Sequence, residues 1–238
     1  MAGAVRSNVS LVEADGRTTK VNEPGPTLAP DEVAALLDAA RASSARGEWV
    51  VWAGSLPGGF SPQRLADAVA DARAAGRRVA LDCSGQALVT ALSRDGEQPA
   101  APGEAERRGA SPSLAGRPLP TLGDVLDVAG DLVRRGVRTV LVSLGGDGAV
   151  LVDADLTEPL HGRAQAGAVV NTVGAGDAFL AGWLAAADGG AAPADALAAA
   201  LRSGAAAVEH EGTLLGTPDP RRPVSIGPVH RDQPVAAH

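Results

Sequence analysis

The stretch NTVGAGDAFLAG, residues 171–182, combines residue types that can bind an anion and move a proton. Two glycines flank an alanine, and Asp177 follows them directly. Glycine tolerates a positive φ and a close backbone approach to a ligand, and the residues after Asp177 favour a helix. Unpaired amides at a helix N-terminus bind anions, assisted by the helix dipole. The pattern therefore predicts a site for a phosphate in transfer, formed by the amides of Gly174, Ala175 and Gly176.

The carboxylate of Asp177 has two interpretations. It would repel a bound phosphate, so its presence needs another reason, and accepting the proton of an attacking hydroxyl is one. Alternatively, Asp177 is an ordinary acid in the first helical turn, worth about 0.3–1 kcal/mol of stability. The spacing alone favours neither interpretation. The stretch matches neither the phosphate loop with its Lys-Ser/Thr nor the dinucleotide fingerprint.

Composition argues against several classes of protein. The chain has 238 residues, a net charge of −7 and a single lysine, Lys20, so a nucleic-acid-binding surface is not expected. No apolar run approaches the roughly 20 residues that cross a bilayer, and residues 1–10 lack the apolar core of a signal peptide. Cys83 has no partner for an internal disulfide, so we expect a cytoplasmic protein. The sequence has four histidines, and they are not spaced like the ligands of a metal site: His161, His210, His230 and His238.

The elements that must position these residues alternate between strands and helices. A short buried strand is predicted at 49–53, and further strands are predicted at 78–82 and, with a near-continuous apolar character, at 138–144. Helices of ten to fifteen residues are predicted around them. This alternation predicts an α/β fold with a parallel sheet covered on both faces, whose ligands bind beyond the carboxyl ends of the strands. The turn GGDG predicts an antiparallel partner for the strand at 138–144, and residues 8–22 predict a hairpin around Asp15-Gly16.

The helix boundaries follow from capping residues. Ser61 is predicted as an N-cap with Pro62 behind it, and Thr121 as the N-cap of a second helix. Glycines are predicted to end three helices, at Gly47, Gly76 and Gly136.

Two segments lack this regular pattern. Residues 93–118 contain one large aliphatic residue, Leu114, and are predicted to be a surface insertion or a disordered loop. Residues 217–238 are rich in proline and arginine and are predicted to be a disordered tail.

The stretch NTVGAGDAFLAG resembles the C-terminal signature of the ribokinase/PfkB carbohydrate kinases. Within this family, the chain resembles the branch of 1-phosphofructokinases and tagatose-6-phosphate kinases. Four stretches carry that resemblance, in order along the chain: RSNVSLVEADGRTTKVNEPGP, WAGSLPGG, LDCSGQAL and LVSLGGDGAVLV. The resemblance covers about residues 5–216. It implies one kinase domain with a three-layer α/β/α fold, a mostly parallel central sheet and a small β lid. Residues 8–22 would be a remnant of this lid.

The resemblance also implies roles for individual residues. Asp177 becomes the catalytic base, with Gly174, Ala175 and Gly176 as its anion hole. The SLGGDG turn would contact ATP through Ser143, Gly145 and Gly148. Substrate contacts are implied for Arg6, Asn8, Lys20, Asn22 and Ser55. Arg6 suits the phosphate that the sugar already carries.

The implied reaction is the ATP-dependent phosphorylation of a sugar phosphate, with Mg²⁺ bridging the phosphates. Fructose 1-phosphate, giving fructose 1,6-bisphosphate, is the expected acceptor. Two alternatives stay open: a tagatose 6-phosphate kinase, and a catalytically impaired fragment that binds nucleotide. The expected partners are these small molecules, not nucleic acid or membrane, and a second copy of the chain, because lids in this family often pair between subunits.

The chain departs from the family pattern in two places. The family has a long N-terminal portion before the stretch that matches Arg6, so we expect opening strands to be missing and the sheet to be incomplete. Where the family has a strand with Lys-Pro-Asn and a helix whose Glu helps organise Mg²⁺, this chain has residues 93–118, with Glu104 and Glu106 but no asparagine. Either a disrupted reading frame or a genuine loop accounts for that segment. Both departures predict weak folding or low activity.

Overall fold

The computed structural model describes residues 5–12, 18–93, 118–212 and 217–236. The chain divides into two compact units, Met1–Val9 with Val21–Gly116 and Ser10–Lys20 with Arg117–His238. Each unit combines helices with strands, which confirms the predicted α/β class. The predicted turn at Asp15-Gly16 and residues 94–117 of the predicted insert lie outside the described residues.

The predicted hairpin strands are present. They are β1 (Asn8–Val12) and β2 (Thr18–Asn22), which form a two-stranded sheet. Three large apolar side chains on these strands are exposed: Val9, Leu11 and Val21.

The first unit contains a parallel pair of strands and three helices. The elements are α1 (Pro30–Ala42), β3 (Trp49–Ala53), α2 (Pro62–Ala74), β4 (Arg78–Asp82) and α3 (Gly85–Leu92). β3 and β4 run parallel, from the pair Trp49–Arg78 to the pair Ala53–Asp82. Their core includes Val33, Leu37, Phe60, Leu65, Val69 and Cys83.

Local chemistry sets the ends of these helices. The Ser61 hydroxyl accepts a hydrogen bond from the Arg64 amide at 3.3 Å, which confirms the predicted cap of α2. The prediction that α1 extends to Gly47 was wrong, since α1 ends at Ala42. The hydroxyls of Ser43 and Ser44 both donate to the Ala40 carbonyl, which competes with further helical turns.

The prediction that β3 is buried was also wrong. Val51 is 43% exposed, while Val50 and Trp52 on the opposite face pack toward the helices. In the described residues, this parallel sheet has two strands. The expectation of an incomplete parallel sheet is thereby confirmed.

The second unit is built on a four-stranded sheet with helices on both faces. Its elements are α4 (Leu122–Arg134), β5 (Thr139–Ser143), β6 (Ala149–Asp153), β7 (Leu160–Ala164), α5 (Ala175–Asp188), α6 (Pro193–Ala207) and β8 (Val224–Pro228). The strand order is β5-β6-β7-β8, and all three ladders are antiparallel. The predicted antiparallel pairing of β5 and β6 is confirmed.

Alternating residues of β6 supply both faces of that sheet. Leu151 packs with Leu197 and Leu201 of α6, and Val150 packs with Leu122 and Val125 of α4. This arrangement gives three layers in this unit. Within the described residues, no helix is long and apolar enough to cross a membrane.

The prediction of a disordered tail at 217–238 was wrong. β8 forms there and pairs with β7, from Ala164–Val224 to Leu160–Pro228. Val224 and Ile226 alternate with polar or small residues and pack against the core, a pattern of period two that the flanking prolines and arginines obscure.

Residues 229–236, which we call the C-terminal strap, cover the start of α4. The amides of Leu122 and Gly123 donate to the carbonyls of Gln233 and Arg231, at 2.9 and 2.8 Å. These amides have no acceptor inside the helix, so the strap supplies one. Thr121 and Asp124 form the predicted cap, and the Val235 amide donates to the Pro120 carbonyl at 2.9 Å.

Deleting residues 229–238 is expected to lower the free energy of unfolding by about 2–4 kcal/mol. The deletion removes three backbone hydrogen bonds of about 0.5–1.5 kcal/mol each and uncovers apolar residues around Leu122. Urea unfolding of both proteins measures the difference. Arg231→Gln is the control, because it removes an exposed ion pair with Asp127 worth at most about 1 kcal/mol. Equal midpoints for the deletion and the parent would contradict this role.

Candidate active site

The glycine turn begins a helix, as predicted. Gly174 is the N-cap of α5, with φ +82°, and the Ala178 amide makes the first helical hydrogen bond to its carbonyl at 2.9 Å. A side chain at this φ would be strained, which explains why glycine stands there. The turn therefore directs the first amides of α5 away from the helix body.

The amides predicted to bind an anion differ in their hydrogen bonding. Among the described residues, the amides of Gly174, Gly176 and Asp177 have no acceptor. The amide of Ala175 donates to the Thr172 carbonyl at 3.4 Å, which is long for a hydrogen bond. The turn thus has three free amides and one weakly bonded amide at the positive end of the α5 dipole.

Asp177 lies in the first turn of α5 and is exposed. Within the described part of the chain, its carboxylate has no hydrogen-bond or ion-pair partner. It is therefore accessible to a ligand held by the neighbouring amides. Its position fits a base and fits a first-turn acid equally well.

A residue that the sequence reasoning did not identify, Asn171, shapes the turn from inside. It is 8% exposed, its Oδ1 accepts from the Val173 amide at 2.9 Å, and its Nδ2 donates to the Glu211 carbonyl at 3.2 Å. The bond to Val173 is that of an Asx turn, which an asparagine at the start of a glycine turn can signal. Asn171 thereby joins the turn to the chain that follows α6.

Helix α6 supports α5 along its length. Gly182 of α5 faces Ala199 and Ser203 of α6 so closely that any side chain at 182 would collide with them. Small residues at this contact let the two helices approach. The amides of Val170 and Asn171 both donate to the Val208 carbonyl at the end of α6, at 2.7 and 3.1 Å.

Glu209, one residue further, forms an ion pair with Arg222. The Arg222 guanidinium donates to both carboxylate oxygens of Glu209, at 2.8 and 2.5 Å, and the Gly167 amide donates to the same carboxylate at 2.5 Å. Arg222 first, and then Gly167, lower the pKa of Glu209 from 4.5 to about 2. The same ion pair raises the pKa of Arg222. Both side chains are largely shielded from water.

The predicted ATP-binding turn follows β5. Ser143 ends that strand, and Gly145–Asp147 form one turn of 3₁₀ helix. Gly148 has φ +93°, and a β-carbon there would collide with the Gly162 carbonyl on β7. Gly148 is therefore required for β6 to leave the turn beside β7.

Two of the predicted substrate residues contact each other. The Arg6 guanidinium donates to the Ser55 hydroxyl at 3.1 Å, and the Arg6 side chain packs over Gly25. Ser55 follows the end of β3, where the Gly54 amide donates to the Asp82 carbonyl of β4 at 2.8 Å. These contacts place a guanidinium and a hydroxyl together at the carboxyl end of the parallel strands.

The other predicted substrate residues lie on the hairpin. Asn8 begins β1 and Asn22 ends β2, and both are exposed. Lys20 lies in β2, and its side chain is outside what the structure describes. In the described residues, no three His, Cys, Asp or Glu side chains form a cluster that could hold a metal ion. Glu104 and Glu106 lie outside the described residues.

A glycine turn with free amides at the start of a helix, with a carboxylate directly behind it, is an anion-binding arrangement suited to phosphoryl transfer in an α/β protein. The sequence model of the pfkB family of carbohydrate kinases matches residues 3–220, and the chain belongs to this family.

Two 1-phosphofructokinases are similar over most of the chain. The Vibrio cholerae protein is 33% identical over 184 residues, which are 76% of this chain and 55% of that protein. The Rhodobacter capsulatus protein is 38% identical over 184 residues, which are 76% of this chain and 56% of that protein. The chain thus spans about half the length of these curated relatives.

A solved structure shares the fold. Phosphofructokinase-2 from Escherichia coli, in complex with potassium, superposes with a TM-score of 0.74 and 27% identity. The match covers 87% of this chain and 66% of that one. The family match and the shared fold therefore confirm the resemblance to ribokinase/PfkB kinases.

Proposed function

We propose that the protein transfers the γ-phosphoryl group of ATP to a free hydroxyl of a hexose phosphate, and that the hexose phosphate is fructose 1-phosphate. The observation that carries the proposal is the turn at Gly174–Asp177, where free amides, the positive end of a helix and an exposed carboxylate occur together. The names of the two bacterial relatives support the choice of fructose 1-phosphate.

The proposed mechanism assigns one task to each part of this turn. The amides of Gly174 and Gly176 stabilise the negative charge on the phosphoryl oxygens in the transition state. Asp177 accepts the proton of the acceptor hydroxyl as its oxygen bonds to the γ-phosphorus, while the bond from that phosphorus to the bridging oxygen breaks and ADP leaves. The amide of Ala175 joins the anion hole if its long bond to Thr172 opens.

Binding of the nucleotide is assigned to the turn around Ser143, Gly145 and Gly148. The turn directly follows β5, and its glycines let the backbone come close to a ligand. Mg²⁺ would be held chiefly by the nucleotide's phosphates, as is usual for this ion, and would neutralise charge there.

Binding of the acceptor is assigned to Arg6 and Ser55, with Asn8, Lys20 and Asn22 of the hairpin. A guanidinium with a neighbouring hydroxyl is suited to the phosphate that the sugar already carries. We also propose a cytoplasmic location and a homodimer, the latter supported by the exposed Val9, Leu11 and Val21 on the hairpin.

Two measurements on the full chain test the proposal. A coupled assay for ADP release, run with fructose 1-phosphate, tagatose 6-phosphate and fructose 6-phosphate, should give the highest kcat/KM for fructose 1-phosphate. Calorimetry should detect ATP binding. Binding without turnover would instead support a nucleotide-binding protein without kinase activity, and turnover fastest with tagatose 6-phosphate would change the substrate.

Arg6→Gln is expected to raise KM for the hexose phosphate by about 10–100-fold, since it removes a charge-assisted hydrogen bond of about 1.5–3 kcal/mol. KM for ATP should change little, because Arg6 is assigned to the acceptor alone. Initial rates with each substrate varied in turn measure both constants. Arg64→Gln, an exposed arginine on α2, is the matched control. An unchanged KM for the hexose phosphate would remove Arg6 from the acceptor site.

A further inference from the structure

Three separate stretches of the second unit meet around the carboxylate of Glu209. The Gly167 amide comes from the stretch before the glycine turn, Glu209 follows α6, and Arg222 precedes β8. Arg222 also donates to the Gln165 carbonyl at 2.8 Å. One ion pair therefore ties the approach to the turn both to α6 and to the C-terminal segment.

The connection continues into the turn itself. The Val208 carbonyl, next to Glu209, accepts the amides of Val170 and Asn171, and the Glu211 carbonyl accepts the Asn171 side chain. Glu209 thus lies between the two carbonyls that hold the start of the turn. A shift of the chain at 208–211 would be passed through these hydrogen bonds to the free amides and to Asp177.

We propose that Glu209 and Arg222 are positioning residues for the glycine turn at 171–177. The expected effect on catalysis rests on the proposed function, whereas the expected effect on the backbone of the turn does not. Residue 222 lies beyond the segment 3–220 that the family model matches. Arg222 therefore comes from the part of the chain that follows the matched segment, whereas Glu209 lies within that segment.

The shielding of the pair explains why it can hold a backbone in place. The Arg222 side chain is 15% exposed and the Glu209 side chain 27% exposed. Charged hydrogen bonds that are shielded from water are stronger and more directional than surface ion pairs, which contribute little. Removing either partner leaves the other charged group poorly solvated, so the local chain is expected to rearrange.

The test compares Arg222→Gln, Glu209→Gln and Arg222→Lys in the full chain. Hydrogen exchange, followed by NMR, should become at least about 10-fold faster at the amides of Val170, Asn171 and Val173 in both glutamine variants. Arg222→Lys keeps the charge but not the forked geometry, so its exchange should be intermediate. Arg231→Gln, which breaks an exposed pair between the C-terminal strap and α4, is the matched control and should leave these amides unchanged.

Kinetics gives a second, independent measurement. In the glutamine variants kcat should fall by on the order of 10-fold while KM for the hexose phosphate stays within about twofold, because misplacement of Asp177 affects the chemical step. Unchanged exchange at Val170, Asn171 and Val173 would overturn the positioning role, whether or not the chain is active. Faster exchange in a chain without measurable turnover would support the positioning role and contradict the proposed function instead.

Discussion

Asp177→Asn is expected to lower kcat by about 10²–10⁴-fold, the usual contribution of a general base. The amide of asparagine has nearly the same shape as the carboxylate but cannot take the proton of the acceptor hydroxyl. ATP should bind as well as before or slightly more tightly, because the variant removes a negative charge beside the phosphates. Steady-state kinetics and calorimetry on the same preparation measure the two effects.

Asp195→Asn is the matched control for this variant. Asp177 and Asp195 are both exposed, and each is the third residue of its helix, α5 and α6. As first-turn acids they should each contribute about 0.3–1 kcal/mol to stability. If Asp177 had only this role, the two variants would show the same small loss of stability and the same kcat as the parent. A kcat for Asp177→Asn within a factor of two of the parent would therefore rule out the base.

Gly148→Ala is expected to lower the free energy of unfolding by about 2–6 kcal/mol. An L-residue at this backbone conformation costs about 1–3 kcal/mol, and the added methyl group would collide with the Gly162 carbonyl, which adds a cost of about 1–3 kcal/mol. Because β6 pairs with β7 directly after this turn, the strain falls on the sheet itself. Denaturant unfolding measures the loss, and calorimetry should show weakened ATP binding.

Gly146→Ala provides the comparison within the same turn. A β-carbon at 146 meets no atom within 4 Å, and its φ is not positive. We expect a change in stability within about 0.5 kcal/mol, as for other surface substitutions. If both alanine variants lost the same stability, the turn would be sensitive to any side chain, and the specific contact with Gly162 would not explain the effect.

Features that depend on neighbouring residues were predictable from the sequence. The cap of α2 at Ser61, the cap of α4 at Thr121 and the positive φ at Gly174 all follow from residue types within one turn of chain. The glycine turn and Asp177 were located for the same reason. Where local prediction was wrong, as at the end of α1, two serine hydroxyls competed for a carbonyl within the same few residues.

Other features required the chain to fold. Arg6 contacts Ser55 across 49 residues, and nothing near either residue indicates the other. The tail at 217–238 was predicted to be disordered, yet its short strand β8 gains its stability from pairing with β7. The exposure of Val51 reflects which strands and helices lie beside β3, and the apolar character of the strand gives no information about that.

The sequence by itself determined the family, the glycine turn and the acid behind it, because a motif of consecutive residues specifies its own backbone conformation and its own chemistry. Only the tertiary structure decided what holds that turn in place. Asn171, Val208, Glu209 and Arg222 come from three stretches of chain, and their hydrogen bonds exist only once α6 and β8 have packed. Such contacts depend on distances in space between residues that are far apart in sequence, and residue types alone do not encode those distances.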